Sequence, residues 1–584
     1  MYNKSTGKDS SLKESISKLT NALNKRGFTI ETLSVINPVA DIWSVHIGDA
    51  DCKRLTVNGK GVTKDAAVAS ALGEFHERLS CDYLFNEYMF LKDDSNLLFS
   101  HHPHERWFPL DSTKTLKDIL PAKLANFYSP QNGHLLIENL VDFNTGNIEK
   151  GICTLPFKTA SIKPSDENKE DRSQIFFPVS ILNSLYASNG MAAGNSVYEA
   201  RTQALCEILE RYAKNKIISE MIAMPDIPKD IIELYENVTA GINELIQNGF
   251  EVFVKDASLN MGLPVVNITL ANPNDGGVIA AFGAHPDMRI ALERTLTELM
   301  QGRSMDLLTG LPVPAIEEDE VNNKINLEQH FVNSTGCVHL DFFKNTPDYS
   351  YSLETFHGDT EKQYEYLLSI LNKMKKEVYV ADFQHTGVYC CRIIVPEVSE
   401  IYPVDDLIEN TTIGKFILRD AILNKSLEDN NNCRELLELI EEEDYYPYLK
   451  LSELTGIAFD DENNIAIGEL NAILAIKTGD LEDAESLVAW MINSNILTGD
   501  KRVFFNCLSR VLSIKNSGNN LELYEKSLNK IFSKKTVSDV LKVINGDLTR
   551  TGWNFLISGE SPKGHQNIMD AYKKCLDAKL KFHF

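Results

Sequence analysis

The chain has 584 residues, more than one hydrophobic core usually serves, and its 43% hydrophobic and 24% charged content is that of a globular protein. A formal net charge of −25 disfavours direct nucleic-acid binding through phosphates. No apolar run is long enough to span a bilayer and the N-terminus has no apolar signal core, so a cytoplasmic protein with no membrane contact is expected.

In chain order, Asp9 to Arg26 reads as an amphipathic helix with Leu12, Ile16, Leu19 and Leu23 on one face, capped by Asp9 or Ser10. Val39 to Ile47 and Leu55 to Asn58 alternate as strands do. Asn58-Gly-Lys-Gly61 then reads as a turn into a helix that runs to Arg78. An aromatic segment, Tyr83 to Phe90, precedes a loop from His101 to Pro109. Its histidines 101, 102 and 104 have no second cluster at zinc-like spacing and read as polar loop residues. Leu135 to Val141 and Gly151 to Pro156 read as strands around the hairpin signal Asn144-Thr-Gly146, and Ser165 to Arg172 as an exposed loop.

Phe176 to Leu185 leads into Ser188-Asn-Gly-Met-Ala-Ala-Gly194, a glycine-containing loop that opens a second helix through Arg211. Asp230 to Gln247 reads as a helix, and Glu251 to Lys255, Pro264 to Leu270 and Val278 to Phe282 as a β-meander. A third helix, Ala291 to Arg303, follows at once. Val378 to Asp382 and Val388 to Val395 are strong strands, the second ended by Pro396. Beyond about Tyr402 the pattern is helical and acidic. There Leu474 to Ala484, with Gly479-Asp480 at a joint, resembles a tetratricopeptide unit. The ten cysteines form no CxxC pair and read as reduced thiols.

The three helices opened by the glycine segments share a register. Ala67, Ala71, Leu72, Glu74, Glu77 and Arg78 fall on Ala200, Ala204, Leu205, Glu207, Glu210 and Arg211. In the third copy Leu296 and Glu298 keep the spacing from Ala291, and Gln301 stands at the second glutamate's place. Glutamates three apart project from one side of a helix and repel unless a cation sits between them. Glu74, Glu77, Glu207, Glu210 and Glu298 together suit a hard ion, Mg²⁺ above all. Glycine turns at helix starts suit anions, although neither Walker A nor GxGxxG occurs. Arg78, Arg211 and Arg294 lie on the same helices, where a guanidinium fork meets phosphate oxygens. ATP with two or more Mg²⁺ ions explains glutamates, arginines and glycines together. A di-iron centre would need Glu-x-x-His, and here the matching positions are Glu77 and Glu210.

At these residues the chain resembles the YcaO family over nearly its full length. The likeness is carried by Asn58-Gly-Lys-Gly61 through Glu74-Phe-His-Glu-Arg78, by Ser188-Asn-Gly through Glu207-Ile-Leu-Glu-Arg211, and by Phe282-Gly-Ala-His-Pro-Asp287 through Arg294-Thr-Leu-Thr-Glu298. The resemblance implies an α+β fold: a YcaO-type ATP-binding domain of mixed sheets with packed glutamate-bearing helices over residues 1–402. An all-α, tetratricopeptide-like domain over 403–584 would follow, suited to homodimerisation or partner docking. It implies that Glu74, Glu77, Glu207, Glu210 and Glu298 hold Mg²⁺. Lys8, Ser15, Arg78, Ala192, Asn195, Gln203, Arg211 and Arg294 would contact ATP, with Arg211 and Arg294 as candidate phosphate stabilisers and no catalytic residue assigned. Relatives with peptide substrates use ATP to activate a backbone amide. Stand-alone members are linked instead to β-methylthiolation of an aspartate in a small-subunit ribosomal protein, as accessories to the radical enzyme RimO. Ala192 stands where relatives often have serine, and the ending Lys579-Leu-Lys-Phe-His-Phe584 lacks the proline-rich tail of the cyclodehydratases, which argues against azoline synthesis. The competing expectation is a non-catalytic scaffold with a regulatory nucleotide site.

Overall fold

The structure is a computed structural model. It describes residues 7–581 except 91–98, 112–113, 130–134, 136, 146–149, 161–173, 410–411, 425–428, 443–446, 460–463, 494–496, 498 and 548–562. The exposed loop expected over Ser165 to Arg172 and the glycine of the Asn144-Thr-Gly146 turn lie outside the described residues.

Twelve strands form three antiparallel sheets among the described residues. The first holds β1 (Ile30–Val39), β2 (Ile42–Asp49) and β3 (Thr56–Gly61), in that order. A second, larger sheet is ordered β4 (Arg106–Phe108), β5 (Ile152–Ala160), β11 (Val378–Phe383), β12 (Tyr389–Ile394), β7 (Met191–Gly194), with β6 (Ile175–Pro178) paired to the other side of β5. The third is the expected meander of β8 (Glu251–Asp256), β9 (Val265–Ala271) and β10 (Val278–Ala284).

Each sheet ends in a strand that leads directly into a glutamate helix. β3 leads to the first (Lys64–Ser80), β7 to the second (Val197–Ser219) and β10 to the third (Met288–Leu299). Thr63, Ser196 and Asp287 cap them, each side chain accepting a first-turn N–H. Helix and strand lie unusually close. A Cβ on Gly59 would stand 2.2 Å from the Ala67 carbonyl oxygen, and one on Gly283 would stand 2.4 Å from Thr295 Oγ1. This corrects the reading of Asn58–Gly61 as a turn. The segment is extended and paired with Trp43–His46, and its glycines let the helix approach the strand rather than bend the chain.

The second glutamate helix is buried between two sheets. Alternate residues of the large sheet, Val380, Cys391 and Ile393, meet its Ala200, Leu205 and Leu209 together with Val278, Ala280 and Phe282 of the third sheet. The opposite residues, Ala381, Phe383 and Cys390, face the first glutamate helix through Ala71, Phe75 and Leu79. Period-two alternation on a sheet covered on both faces explains the nearly continuous apolar runs that marked these strands.

Other differences are local. The N-terminal helix is Leu12–Asn24 and its cap is Ser11, in a capping box with Glu14, rather than Asp9 or Ser10. Leu135 to Val141 contains a short 3₁₀ turn at Ile137–Leu140 instead of a strand. Asp230 to Gln247 is broken into Lys229–Ile232 and Glu236–Gln247. His101 and His102 are buried rather than loop-exposed. His101 Nε2 is 2.8 Å from Asp142 Oδ1 and its Nδ1 is 3.8 Å from Asp82.

Beyond 403 the regular elements of the described residues are helices apart from one short β-bridge, Lys450 to Ala466, and Leu470, Ile473, Leu474, Val488, Leu508 and Leu512 share a core of their own. The last helix, Lys563–Lys581, leaves that core and returns to the first. Its Tyr572 stacks on Phe99 at 4.3 Å, and its Lys579 reaches Asp82 at 2.5 and 2.6 Å in the protein interior.

Candidate functional site

The three strand-to-helix units converge on Lys60. Its stem leaves β3 and its Nζ is ion-paired with Glu298 of the third helix. Burial lowers its pKa to about 8 with help from the Arg294 charge, while Glu210, Glu74 and Glu207 pull the other way. One ammonium thus senses carboxylates from all three helices. Arg78 Nη2 lies 2.7 Å from Glu74, Arg211 Nη2 lies 3.4 Å from Glu207, and Arg294 Nη2 lies 3.9 Å from Glu210. Glu210 also accepts the Ala284 N–H at 3.1 Å, at the end of β10. Arg294 Nη1 donates to Gln203 Oε1 at 2.5 Å, across two positions in register between copies. Gln301, in the third copy's second acidic position, donates to the Asn58 carbonyl at 3.3 Å.

The expected five glutamates are therefore brought into one neighbourhood, with basic side chains interleaved among them. Among the described residues no three acidic, histidine or cysteine side chains form a preformed metal cage. The balance is incomplete, however. Burial pushes Glu77 well above the usual carboxylate range, and the Glu207 and Glu74 charges add to the push. Glu74 is raised by burial and by Glu207 even with Arg78 alongside. Buried Nε atoms of Arg78 and Arg294 have no hydrogen-bond partner. A site with surplus negative charge on its carboxylates and unpaired guanidinium donors beside them fits a divalent cation and an anion held together.

The second helix N-terminus carries a further cluster. Ser15 Oγ donates to Asn195 Oδ1 at 3.1 Å, and Asn195 Nδ2 donates to both oxygens of Glu199 at 3.1 Å. Glu199, buried, also takes the Asp9 N–H at 2.9 Å and pairs with Lys8 at 3.3 Å. Asp9 in turn accepts from Ser196 and, at 2.9 Å, from Thr360. Lys8, Ser15 and Asn195 are thus brought together. Ala192 is fully buried in β7 opposite Cys391 and gives its methyl to the core.

Glu199 and Lys60 were missed in the sequence. The spacing Ser196-x-x-Glu199 reads as an ordinary capping box, and Lys60 as one basic residue between two glycines; neither shows that it bridges elements far apart in the chain. Lys214 was missed too. Buried on the second helix four residues past Glu210, it has a pKa lowered to about 7 by desolvation and points its Nζ at the His330 carbonyl.

A family model described as YcaO cyclodehydratase, ATP- and Mg²⁺-binding, matches residues 58–399, and the YcaO cyclodehydratase C-terminal domain matches 416–581. This chain belongs to the YcaO family. Its nucleotide-site domain is accordingly of the ATP- and Mg²⁺-binding YcaO type. The chain is 39% identical over 587 residues to the ribosomal protein S12 methylthiotransferase accessory factor YcaO of Escherichia coli (strain K12), covering 99% of this chain and 98% of that protein. It is 38% identical to an uncharacterised protein of Haemophilus influenzae, covering 98% of each. Among solved structures, YcaO from Methanopyrus kandleri bound with AMPPCP and Mg²⁺ overlaps 68% of this chain and 94% of its own at TM-score 0.38 and 16% identity. A heterocyclase in complex with substrate and cofactor overlaps 69% and 55% at TM-score 0.45 and 16% identity. The family assignment rests on sequence and not on these overlaps. No helix among the described residues is long and apolar enough to cross a membrane.

Proposed function

We propose that this YcaO protein binds and hydrolyses ATP with Mg²⁺, and does so as an accessory factor in the β-methylthiolation of an aspartate of ribosomal protein S12 by a RimO-type enzyme. The observation that carries the nucleotide reading is the convergence of Glu74, Glu77, Glu207, Glu210 and Glu298 around Lys60, beside the unpaired Nε donors of Arg78 and Arg294. The accessory role is supported by identity to the Escherichia coli factor along essentially the whole chain.

In this reading the five glutamates hold the metal, and Mg²⁺ bound there would screen them from the triphosphate. Arg78, Arg211 and Arg294 then turn their forks from neighbouring carboxylates toward phosphate oxygens. Lys8, Ser15, Asn195 and Gln203 fix the nucleotide at the second helix N-terminus, and Glu199 holds Lys8 and Asn195 in place. Partial burial among the three helices lowers the local dielectric, which strengthens each contact.

Titration calorimetry with ATP and Mg²⁺, with release of ADP or AMP followed in parallel, tests the reading. Wild-type protein is expected to bind and hydrolyse only with Mg²⁺, and Glu207→Ala to lose both while remaining folded. Arg294→Lys keeps the charge but loses the fork, and is expected to slow hydrolysis roughly tenfold or more, the value of a hydrogen bond between charged groups. Unchanged binding in Glu207→Ala would overturn the site. Binding without hydrolysis, with or without ribosomal protein S12, would favour the scaffold.

A further inference from the structure

The third glutamate helix lacks the counter-charge that the other two carry. Arg78 stands four residues after Glu74 and Arg211 four after Glu207, and each meets its own glutamate, at 2.7 and 3.4 Å. Four residues after Glu298 comes Gly302. Arg294, four residues before Glu298, is turned to Gln203 at 2.5 Å and Glu210 at 3.9 Å. Glu298 takes its cation from another unit of the repeat: among the described residues its ion-pair partner is Lys60.

The backbone delivers that ammonium. Gly59 and Gly61 turn to the first glutamate helix, whose backbone leaves no room for a side chain there. Strand alternation sends Lys60 to the opposite face of β3, where the third helix packs. The end of the third helix is tied to the same place. Gln301 donates to the Asn58 carbonyl at 3.3 Å. Gly302, at a left-handed φ of +71° that a side chain disfavours, donates its N–H to Ser44 Oγ at 3.0 Å. Ser44 is the residue paired with Lys60 across the ladder from β2. The charges of Glu210, Glu74 and Glu207 act on the same ammonium, so it stands among the carboxylates and not behind one of them.

We propose that Lys60 is the exchangeable counter-ion of Glu298: its ammonium and Mg²⁺ compete for this carboxylate, and the metal releases Lys60 from it. The ammonium offsets the repulsion among the glutamates and holds the third helix against the first sheet. A divalent ion brings twice the charge and takes the carboxylate over. An ammonium is a point charge on a flexible stem, without the fork by which a guanidinium grips both carboxylate oxygens, and is the easier of the two to displace. This deepens the proposed function and rests on it, since Glu298 is taken as an Mg²⁺ ligand.

Calorimetric titration of Mg²⁺ into the full-length protein, with urea unfolding in the absence and presence of Mg²⁺, tests it. Lys60→Met is expected to bind Mg²⁺ roughly tenfold more tightly than the wild type, the value of a hydrogen bond between charged groups. Without Mg²⁺ it is expected to be the less stable protein, and at saturating Mg²⁺ the gap is expected to close, because a ligand stabilises most the form that it binds most tightly. Lys60→Arg keeps the charge and adds the fork, and is expected to bind Mg²⁺ more weakly than the wild type. It carries the test alone if Lys60→Met does not fold, and undiminished binding would then overturn the proposal. Lys214→Met removes another ammonium in the field of Glu210 and is expected to change Mg²⁺ affinity much less. Equal or weaker Mg²⁺ binding by Lys60→Met would overturn the proposal, the weaker result by making Lys60 a support of the bound metal. The same gain in Lys214→Met, or a stability gap unaltered by Mg²⁺, would overturn it too. No Mg²⁺ binding by wild type and variants alike would defeat the reading of the site and this proposal together, whereas wild-type binding left unchanged in Lys60→Met defeats the proposal alone.

Discussion

In the proposed site, Glu77 is a carboxylate that a bound cation would relieve. Its carboxyl is pushed up by burial and by Glu207 and Glu74, so its charge at neutral pH opposes folding. The sign follows: a group whose folded pKa is raised stabilises most below its unfolded value and loses that contribution as pH rises through the folded one. Glu77→Gln is therefore expected to raise the stability of the nucleotide-free protein by on the order of 1 kcal/mol at neutral pH while abolishing Mg²⁺-ATP binding. Chemical denaturation and calorimetry on one preparation check it; a variant that is both less stable and still binding contradicts it. Buried histidines carry the opposite sign. Desolvation lowers His76, His102, His330 and His565 to about 4 and His285 to about 3. The unfolded chain binds their protons first, so stability falls as pH drops from about 6.5 toward 4, at up to about 1.4 kcal/mol per histidine per unit. His101 runs the other way: burial lowers it, but Asp142 and Asp82 outweigh that and leave it raised. Thermal melts across that window are expected to show a net acid loss, lessened by His285→Gln.

At the scale of elements, the repeated unit is an end strand folded back against its own helix, and glycine sets the separation. Gly59 and Gly283 occupy equivalent strand positions, and Ala192 stands at that position in the middle copy. Gly59→Ala would drive a methyl into the Ala67 and Ala71 backbone and is expected to cost about 1–3 kcal/mol or more. Gly73, inside the first glutamate helix, has nothing within 4 Å of the place a methyl would take, so Gly73→Ala is expected to add roughly 0.5–1 kcal/mol by helix propensity. Opposite signs from two glycines 14 positions apart, read by urea unfolding, check the packing; like signs would refute it. The glycines were visible in the sequence, but their role was not, since a strand that must admit a helix and a turn that must bend both ask for glycine.

Across the whole molecule, the helical region is joined to the nucleotide domain by its own last helix. Lys579 and Asp82 form a buried pair, and Lys579 also donates to the Ser100 carbonyl at 2.7 Å. Lys579→Ala leaves the buried Asp82 with only His101 nearby among the described residues, at 3.8 Å, and an expected cost of about 3–5 kcal/mol. Adding Asp82→Asn should recover much of it, and a double-mutant cycle by denaturation measures the coupling; additive losses would contradict the pairing. A chain ended near Val404 would also lose Tyr572 from its cluster with Phe85, Phe90 and Phe99. Its nucleotide domain is expected to be unstable.

By itself the sequence determined the three glutamate helices, their common register, the meander and the change to helices after Tyr402. Each rests on periodicity or on local composition, which a chain displays before it folds. The grouping of Lys8, Ser15 and Asn195 was reachable only through family resemblance. Tertiary structure alone decided that Lys60 stands among carboxylates of three helices, that Glu199 anchors the N-terminal segment, and that Lys579 neutralises a carboxylate 497 positions away. Those pairings have no sequence spacing to betray them. They exist because burying a charge is costly unless an opposite charge is brought to it, and only the packed fold brings it there.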